Sequence, residues 1–431
     1  MAMIPPKTTN DRFTDDQWQA IYQTGDNILV AASAGSGKTT VLVQRIIEKV
    51  KNGTNVDELL VVTFTESAAV EMKERIGVAI QEAINTAVND EQYRHLMRQV
   101  TLLPQAHIST IHAFCLKVIQ RFFYLIEIDP VFRIVADNIE VEMTKEDVWE
   151  QLKEEQYGIA GTTFKQLARA YSNDRSDEGL KTLIFSLYNF SRANPDPTRW
   201  INSLGDLYDL TDGLVNSRLY QELLLPQMKT ELESAIYSLE MGIHQTGESE
   251  HTLKHHDLMM AERDGIIAIQ DAVMTSRYQE AYDLIDRMTF ERWPSVKKDN
   301  PDKELIQDMK RLRDQAKQTA INVKDQFFSR PLDEQEEMIQ QTKPFIEEMI
   351  RVTLLFTDMY WQKKQTDSAL DFNDLEHLTL DILMPLKDGK RQPSEASLYY
   401  RQKFEEVLID EYQDVNQLQE SILYSVTRHQ P

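Results

Sequence analysis

The feature that most constrains the fold of this chain is a run of small residues near its N-terminus. The run reads Ala32-Ser33-Ala34-Gly35-Ser36-Gly37-Lys38-Thr39. Residues 27–32 lead into it as an apolar run, which predicts a buried strand. After it, apolar side chains recur at helical spacing, at Val43, Ile46, Ile47 and Val50. A strand, a glycine-rich turn and a helix in this order predict a loop that holds phosphate groups.

A second strand is predicted shortly after this helix. Asn52 and Gly53 are typical of a helix end, and residues 59–63 form another short run of apolar and β-branched side chains. A strand, a helix and a strand at this spacing make a βαβ unit, which builds a parallel sheet. The fold class is therefore predicted to be α/β.

The texture of the sequence divides the chain into three stretches. Residues 1–135 alternate strand-like and helical patterns, whereas residues 136–365 are dominated by charged helical segments. Two apolar stripes in this middle stretch predict long packed helices, one through Leu305, Met309, Leu312, Ala316, Ala320 and Val323 and one through Phe345, Met349, Val352, Phe356 and Met359. Residues 194–197, Asn-Pro-Asp-Pro, predict a bend. Residues 366–431 contain a strand-like run at 407–409, so we predict an α/β domain interrupted by a large all-helical insertion.

Charge and cysteine content restrict the function and the compartment. The formal net charge of −23 argues against a generic basic coat for nucleic acid or membrane, so any nucleic-acid site must be a local groove. The single cysteine, Cys115, excludes an intrachain disulfide and favours a reducing, cytoplasmic location. The sequence shows neither a signal-peptide pattern nor an apolar run of membrane-spanning length, so no membrane association is expected.

The predicted phosphate loop assigns roles to its residues. Small side chains let backbone N–H groups curl around phosphates, and the N-terminus of the following helix adds partial positive charge. Lys38 is expected to reach the terminal phosphates of ATP, and Thr39 to help hold Mg²⁺. Taken alone, the same run could be a small-residue turn that caps a helix. The predicted nucleotide contacts are Gln17, Ser33, Ala34, Gly35, Ser36, Gly37, Lys38, Thr39 and Thr40.

Gln17 enters this set because of its position just upstream of the loop. A glutamine amide can bond both N6 and N7 of adenine. Without the loop, Gln17 would be read as a solvent-facing helix residue.

A cluster of carboxylates follows the strand predicted at 407–409. Asp410 is placed to bind Mg²⁺, Glu411 to deprotonate the attacking water, and Gln413 to sense the terminal phosphate. The reason is that ligands of parallel α/β sheets sit at the carboxyl ends of the strands. Taken alone, the cluster could be a solvated acidic turn. Together with the phosphate loop it predicts a catalytic site.

The glutamine, the loop and the acidic box Asp410-Glu411-Tyr412-Gln413-Asp414 resemble those of superfamily 1 helicases of the UvrD/PcrA/RecB kind. The resemblance continues in residues 63–75 and 109–115, which look like the DNA-contacting motifs of that group, and in Asp371-Phe372-Asn373-Asp374-Leu375, which reads locally as a helix start capped by Asp371 or Asn373. It implies a RecA-like P-loop NTPase domain, called 1A, with a helical insertion, called 1B.

The DNA-contacting residues implied by the resemblance are Thr63, Phe64, Thr65, Thr110 and His112. Hydroxyls and a helix N-terminus can hold phosphate, and an aromatic ring offers a stacking face for a base. The alternative is that Thr65 only caps a helix and that Phe64 belongs to the core. Phe114 and Cys115 are expected to be core residues.

Three longer segments, 129–134, 190–200 and 370–377, look like AddA (RexA) proteins within that superfamily. This likeness implies an ATP-dependent 3′–5′ DNA translocase with Mg²⁺, acting on single strands and duplex ends in break repair with an AddB/RexB-type partner. It also implies a second RecA-like domain and a nuclease domain that this chain does not resemble, so the chain is expected to be part of a longer protein, with its sheet incomplete. A UvrD/PcrA-type repair helicase and a nucleotide-switch module stay open as alternatives. The insertion could contact duplex DNA, contact a partner protein or act as a spacer.

Overall fold

The protein is mostly helical and carries a small parallel sheet. The computed structural model describes residues 4–7, 12–25, 27–33, 35–126, 128–129, 131–159, 163–171, 178–245, 249–297 and 299–428. Its strands are β1 (Leu59–Thr63), β2 (His107–Thr110), β3 (Arg133–Ile134), β4 (Ala369–Leu370), β5 (Leu386–Lys387), β6 (Lys390–Arg391) and β7 (Glu406–Ile409). Its α-helices are α1 (Asp15–Tyr22), α2 (Lys38–Lys51), α3 (Glu66–Asn85), α4 (Asp90–Leu102), α5 (Ile111–Phe122), α6 (Asn138–Gly158), α7 (Thr163–Tyr171), α8 (Glu178–Ser191), α9 (Pro197–Asp206), α10 (Leu225–His244), α11 (Leu253–Met274), α12 (Tyr278–Arg287), α13 (Lys303–Phe327), α14 (Leu332–Thr366), α15 (Phe372–Leu383), α16 (Glu395–Lys403) and α17 (Gln417–Ser425).

Three parallel strands in the order β2-β1-β7 form the main sheet. In the central strand β1, Val61 is opposite Ile108 on one side and Leu408 on the other. The strands predicted at 59–63 and 407–409 are confirmed, with β7 beginning one residue earlier. Because all three strands are parallel, their carboxyl ends meet at one edge of the sheet.

The strand predicted at residues 27–32 is wrong. Residues 27–33 have no regular secondary structure, and the Leu29 side chain is 75% exposed. A strand forms only where a neighbouring strand satisfies its backbone N–H and C=O groups. Among the described residues, β7 pairs with β1, and residues 27–33 pair with no strand of the sheet. The predicted βαβ unit is therefore absent on its N-terminal side, although α2 ends at Lys51 as expected and Gly53 follows it with φ +106°.

Every residue of β1 is buried because helices cover both faces of the sheet. Successive side chains of a strand point to opposite faces, so Leu59 and Val61 join a core with α2, α3 and α4, while Leu60 and Val62 join a core with α5, α15, α16 and α17. Cys115 lies in the second of these cores, as predicted.

The chain divides into two compact units, one of residues 1–155, 185–197 and 355–431 and one of residues 156–184 and 198–354. The first unit therefore reaches further than the division drawn from sequence texture. The segment 185–197 belongs to it because Leu418 N–H donates to Ala193 O at 3.0 Å and Arg391 donates to Pro195 O at 2.7 Å. Residues 194–196 of the predicted bend lie between α8 and α9, and Pro197 is the first residue of α9.

The second unit is a helical bundle. The stripe predicted from Leu305 to Val323 lies on α13, which packs with α10, α11 and α12 around a shared core. A buried ion pair between Arg313 and Glu262 joins α13 to α11, with Arg313 Nε 2.8 Å from Glu262 Oε2. The described residues of 136–365 contain helices and turns without a strand, as predicted for the insertion. In the described parts of the chain, none of the helices combines the length and the apolar character needed to cross a membrane.

Candidate functional site

The predicted phosphate loop ends at the start of α2. Gly37 precedes the helix as its N-cap with φ +86°, and Gly35 has φ +79°, a backbone conformation that glycine adopts without strain. No side chain of the described residues caps this helix. The first N–H groups of α2, at Lys38, Thr39 and Thr40, therefore form the N-terminus of a 14-residue helix, which favours an anion.

The loop itself is partly held by its own backbone. Ser36 N–H donates to Ser33 O at 3.3 Å, while the buried Ser36 Oγ has no hydrogen-bond partner among the described residues. A buried hydroxyl without a partner is uncommon and fits a loop that is completed by a polar ligand. Ala34 lies outside the described residues.

The acidic box meets this loop. Lys38 Nζ lies 3.8 Å from Glu411 Oε2, and it also donates to Ala32 O at 3.4 Å. The Lys38 side chain belongs to the start of α2, and Glu411 follows the carboxyl end of β7. The fold thus brings together the two segments that the sequence singled out at opposite ends of the chain.

The backbone of the acidic box is fixed by the sheet and strained at its second residue. Asp410 N–H donates to Val62 O at 2.9 Å, which continues the ladder between β1 and β7. Glu411 has φ +54°, a conformation that costs a non-glycine residue about 1–2 kcal/mol. The Gln413 amide contacts Glu411 Oε2, so Lys38 and Gln413 both hold this carboxylate.

Asp410 carries a carboxyl group whose environment suits a cation. Burial raises the pKa of Asp410 above its ordinary value, and the neighbouring Glu411 charge raises it further, while Lys38 opposes both. A divalent cation would relieve this unfavourable burial of charge. Mg²⁺ prefers oxygen ligands and is usually held by one or two carboxylates together with phosphates, so the Asp410 carboxylate and the Thr39 hydroxyl fit it chemically. Among the described residues, groups of three or more His, Cys, Asp or Glu that could hold a metal alone are absent.

Gln17 reaches the loop from α1. Its Nε2 donates to Ser36 O at 2.9 Å, and its Oε1 accepts from Thr14 N–H at 2.9 Å as part of the capping box of α1. A side-chain amide has two donor hydrogens and two acceptor lone pairs, so one of each is left for a base. Gln17 therefore braces the phosphate loop and retains one donor and one acceptor for the predicted contact with adenine.

The residues predicted to contact DNA follow β1 and β2 at the same edge of the sheet. Thr65 caps α3 by accepting from Ala68 N–H at 3.1 Å, and Thr110 caps α5 by accepting from Ala113 N–H at 3.3 Å. The buried Thr63 hydroxyl donates to Thr65 O. The Phe64 ring is 69% exposed and is not part of the core. Its exposure removes the alternative that Phe64 is a core residue.

His112 stands beside these residues in the first turn of α5. Its Nε2 lies 3.0 Å from Oε1 of the buried Glu376, and its ring centroid lies 4.7 Å from that of Phe372. Asp371 caps α15, whereas Asn373 does not. The sequence pattern drew attention to Asp371 but not to Glu376, because a single glutamate in a helix carries no periodic signal.

Two further charged groups of the first unit were missed from sequence. The buried Arg45 of α2 pairs with Glu406 of β7 and donates to Ala20 O at 2.7 Å, which ties α1, α2 and β7 together behind the loop. The buried Lys364 lies 2.9 Å from Asp371 and 2.6 Å from Asp374. An arginine within an amphipathic helix and a lysine near a helix end both read as solvent-facing, so only their partners reveal them.

Comparison with known proteins places the chain in a family. Residues 13–431 match the UvrD/REP helicase N-terminal domain family. The chain is 46% identical over 425 residues to an ATP-dependent helicase/nuclease subunit of Enterococcus faecalis, covering 99% of this chain and 34% of the relative. The proteins of the same name from Anoxybacillus flavithermus and Ligilactobacillus salivarius are 40% and 39% identical, with 99% and 97% of this chain and 35% and 34% of the relatives covered. The chain thus spans about a third of the length of these relatives.

Proposed function

The chain belongs to the UvrD/REP helicase N-terminal domain family, and we propose that it is the ATP-binding part of an ATP-dependent DNA-translocating helicase. In this proposal the first unit is a RecA-like domain of the 1A type and the helical unit is its 1B-type insertion. The sequence matches extend over nearly the whole chain, which supports an origin in the same group as these helicase/nuclease relatives.

The observation that carries the proposal is the contact between Lys38 and Glu411. An ammonium at the start of a helix and a carboxylate at a strand end, 3.8 Å apart, are the groups needed to bind a triphosphate and to activate water beside it. A pocket that only stored nucleotide would need the first of these groups but not the second.

We assign the reaction as hydrolysis of the terminal phosphate of ATP. The N–H groups at the start of α2 and Lys38 bind the β- and γ-phosphates, and Gln17 contacts the adenine. Glu411 accepts the proton of the attacking water, and Gln413, which already contacts the Glu411 carboxylate, responds to the terminal phosphate. Thr39 and Asp410 would hold Mg²⁺, which would supply positive charge to neutralise the phosphates.

Lys38 has two alternative partners in this scheme. Its ammonium is close to Glu411, and bound phosphate would compete for it as a stronger, multiply charged partner. When Lys38 turns to phosphate, the Glu411 carboxylate loses its contact with this ammonium and is free to face the attacking water. Nucleotide binding therefore prepares the base that later acts on it.

Single-stranded DNA is the proposed substrate for the carboxyl edge next to this pocket. The exposed Phe64 ring offers a stacking face, and the helix starts at Thr65 and Thr110 together with His112 offer phosphate contacts. These groups lie at the carboxyl ends of β1 and β2, and β1 is the neighbour of β7 in the sheet. Unwinding in the 3′–5′ direction, a role in the repair and recombination of double-strand breaks and an AddB-type partner are proposals for the whole protein, by analogy with the helicase/nuclease relatives.

Two other functions make different predictions. A nucleotide-switch module would bind ATP without any response to DNA. A UvrD/PcrA-type helicase would translocate without a nuclease, which a nuclease assay on the whole protein separates from the helicase/nuclease assignment.

The experiment that tests the proposal measures binding of Mg²⁺ with a fluorescent non-hydrolysable ATP analogue to the chain. Lys38→Ala removes a charged donor to phosphate, so the binding free energy is expected to weaken by about 1.5–3 kcal/mol, which raises the Kd roughly 10- to 150-fold. Lys51→Ala, at the far end of the same helix, is the matched control and should bind as the wild type does. Equal affinity of Lys38→Ala and wild type would refute the nucleotide assignment.

The companion variant Glu411→Gln separates binding from hydrolysis. The amide keeps the size of the side chain but cannot accept the proton of water, so binding should stay within about threefold while single-turnover hydrolysis falls by about 10²-fold or more. Glu405→Gln, an exposed carboxylate that pairs with Arg428, is its control. Normal hydrolysis by Glu411→Gln would remove Glu411 from its role as base.

A further inference from the structure

Glu376 is a buried carboxylate that belongs to neither the predicted nucleotide site nor the predicted DNA site. It lies on α15 and is 1% exposed. Burying a carboxylate is unfavourable unless donors surround it, so its partners define why it is there. Two polar side chains supply them, one from α5 and one from α17.

The first partner is His112, whose Nε2 lies 3.0 Å from Glu376 Oε1. The His112 side chain is about one-third exposed and stands at the carboxyl edge of the sheet, where its ring also packs on Phe372. This imidazole is therefore partly exposed at the edge where we propose that DNA binds, while its Nε2 faces a buried carboxylate.

The second partner is Gln419, whose Nε2 donates to the same Oε1 of Glu376 at 2.7 Å. Gln419 also belongs to the capping box that starts α17, because its Oε1 accepts from Asn416 N–H at 3.3 Å and its own N–H donates to Asn416 Oδ1 at 2.8 Å. Asn416 lies two residues after Asp414, the last residue of the acidic box, with Val415 between them. The backbone that leaves the hydrolytic turn is therefore held by Gln419.

We propose that His112, Glu376 and Gln419 form a relay through which single-stranded DNA at the sheet edge adjusts the acidic box. The inference rests on the proposed function, and in it Glu376 is a positioning residue that touches neither ligand. Both donors share one carboxylate oxygen, so a change in the hydrogen bond from one donor alters the hydrogen bond from the other. DNA that engages His112 weakens its hold on Glu376, and Gln419 then moves with the start of α17.

The strained turn at Glu411 is the element on which the relay acts. Glu411 sits at φ +54°, outside the preferred region for its residue type, so the acidic turn depends on what surrounds it. A small displacement of Asn416 would change how Glu411 and Gln413 face the nucleotide. By linkage, nucleotide must then change DNA affinity by the same factor by which DNA changes nucleotide affinity.

The test measures this factor with the whole 431-residue chain. The Kd of an oligothymidylate of about 16 nucleotides, the upper end of the usual single-strand site size, is determined with and without saturating Mg²⁺ and a non-hydrolysable ATP analogue. The wild type should show a ratio of about fivefold or more. Glu376→Leu should bring the ratio close to one while leaving the nucleotide Kd within about threefold. Glu376→Gln should retain coupling, because its amide oxygen can still accept both bonds.

Thr379→Val is the matched control, because it removes another buried contact between α15 and α5. That contact is the hydrogen bond that the Thr379 hydroxyl donates to Cys115 O at 3.2 Å. It should couple as the wild type does. Gln419→Met replaces Glu376→Leu if circular dichroism shows that the latter does not fold.

Three results would overturn the relay: a wild-type ratio near one, full coupling in Glu376→Leu, or equal loss in Thr379→Val. A wild type that binds neither ligand would instead refute the proposed function, and the relay with it. Binding of both ligands without mutual influence would refute the relay alone.

Discussion

Lys38 Nζ lies 3.8 Å from Glu411 Oε2, although the two residues are near opposite ends of the chain. Both side chains are partly exposed, so the pair itself adds at most about 1 kcal/mol to stability. Its significance is positional, because it sets the distance between the cation that we propose binds phosphate and the carboxylate that we propose accepts a proton. The same unit holds a strained turn, a brace for the loop, an exposed aromatic ring and a half-buried histidine, and each of these has a measurable consequence.

Relief of the strained turn should stabilise the protein and abolish hydrolysis. Glu411→Gly removes a side chain from a left-handed backbone position, and it also removes charge repulsion with Asp410, so the free energy of unfolding should rise by roughly 1 kcal/mol. Urea unfolding measures this change. Asp388→Gly, at φ +51° in the turn between β5 and β6, should stabilise by a similar amount and leave hydrolysis intact. Loss of stability in Glu411→Gly would contradict the assignment of strain.

Removal of the Gln17 amide should weaken nucleotide binding and reduce the preference for adenine. Gln17→Ala loses the brace to Ser36 O, which is worth about 1 kcal/mol for any nucleotide, and it also loses the proposed base contact. Competition between ATP and GTP analogues measures both effects. Gln19→Ala, whose amide bonds Gln23 at the end of the same helix, should change neither. An unchanged ATP-to-GTP ratio would leave Gln17 as a brace only.

Loss of the exposed ring at the sheet edge should weaken binding of single-stranded DNA. Phe64→Ala removes a stacking face worth about 1–3 kcal/mol per base, and because the ring is exposed the melting temperature should change little. Fluorescence anisotropy with oligothymidylate measures the Kd. Tyr93→Ala, an exposed aromatic residue on α4, serves as the control. If both variants bind DNA as tightly as the wild type, the DNA path lies elsewhere.

Acid should destabilise the first unit through His377. Burial lowers the pKa of His377 to about 3, and its Nε2 lies 3.0 Å from Arg192 O. The unfolded chain binds a proton near pH 6.5, so it gains protons over the folded state as pH falls from about 6.5 towards 3, and stability falls with it. At pH 5 this amounts to about 2 kcal/mol.

His377→Gln keeps a donor for Arg192 O and cannot titrate. Its free energy of unfolding should therefore fall less than that of the wild type between pH 7 and pH 5, as measured by urea titrations at both values. Parallel pH profiles for the two proteins would show that His377 is not the titrating group.

Much of the secondary structure could be predicted from patterns among residues that are close together in the sequence. The strands at 59–63 and 407–409, the end of α2 and the stripes of α13 and α14 follow from local periodicity and turn chemistry, which lie within a few residues of one another. The exception is the segment 27–32, whose apolar composition suits a strand but whose pairing depends on a neighbour that composition does not specify.

Sequence patterns were enough to select the residues that we propose for the chemistry: the loop ending in Lys38 and Thr39, the Asp410–Glu411 pair and the run around Phe64. The tertiary structure alone decided that Lys38 meets Glu411, that Phe64 is exposed and that His112 and Gln419 share Glu376. The physical reason is that these contacts join positions far apart in the chain, where no periodic pattern links the partners, and only the packing of β1 between two helical layers brings them together.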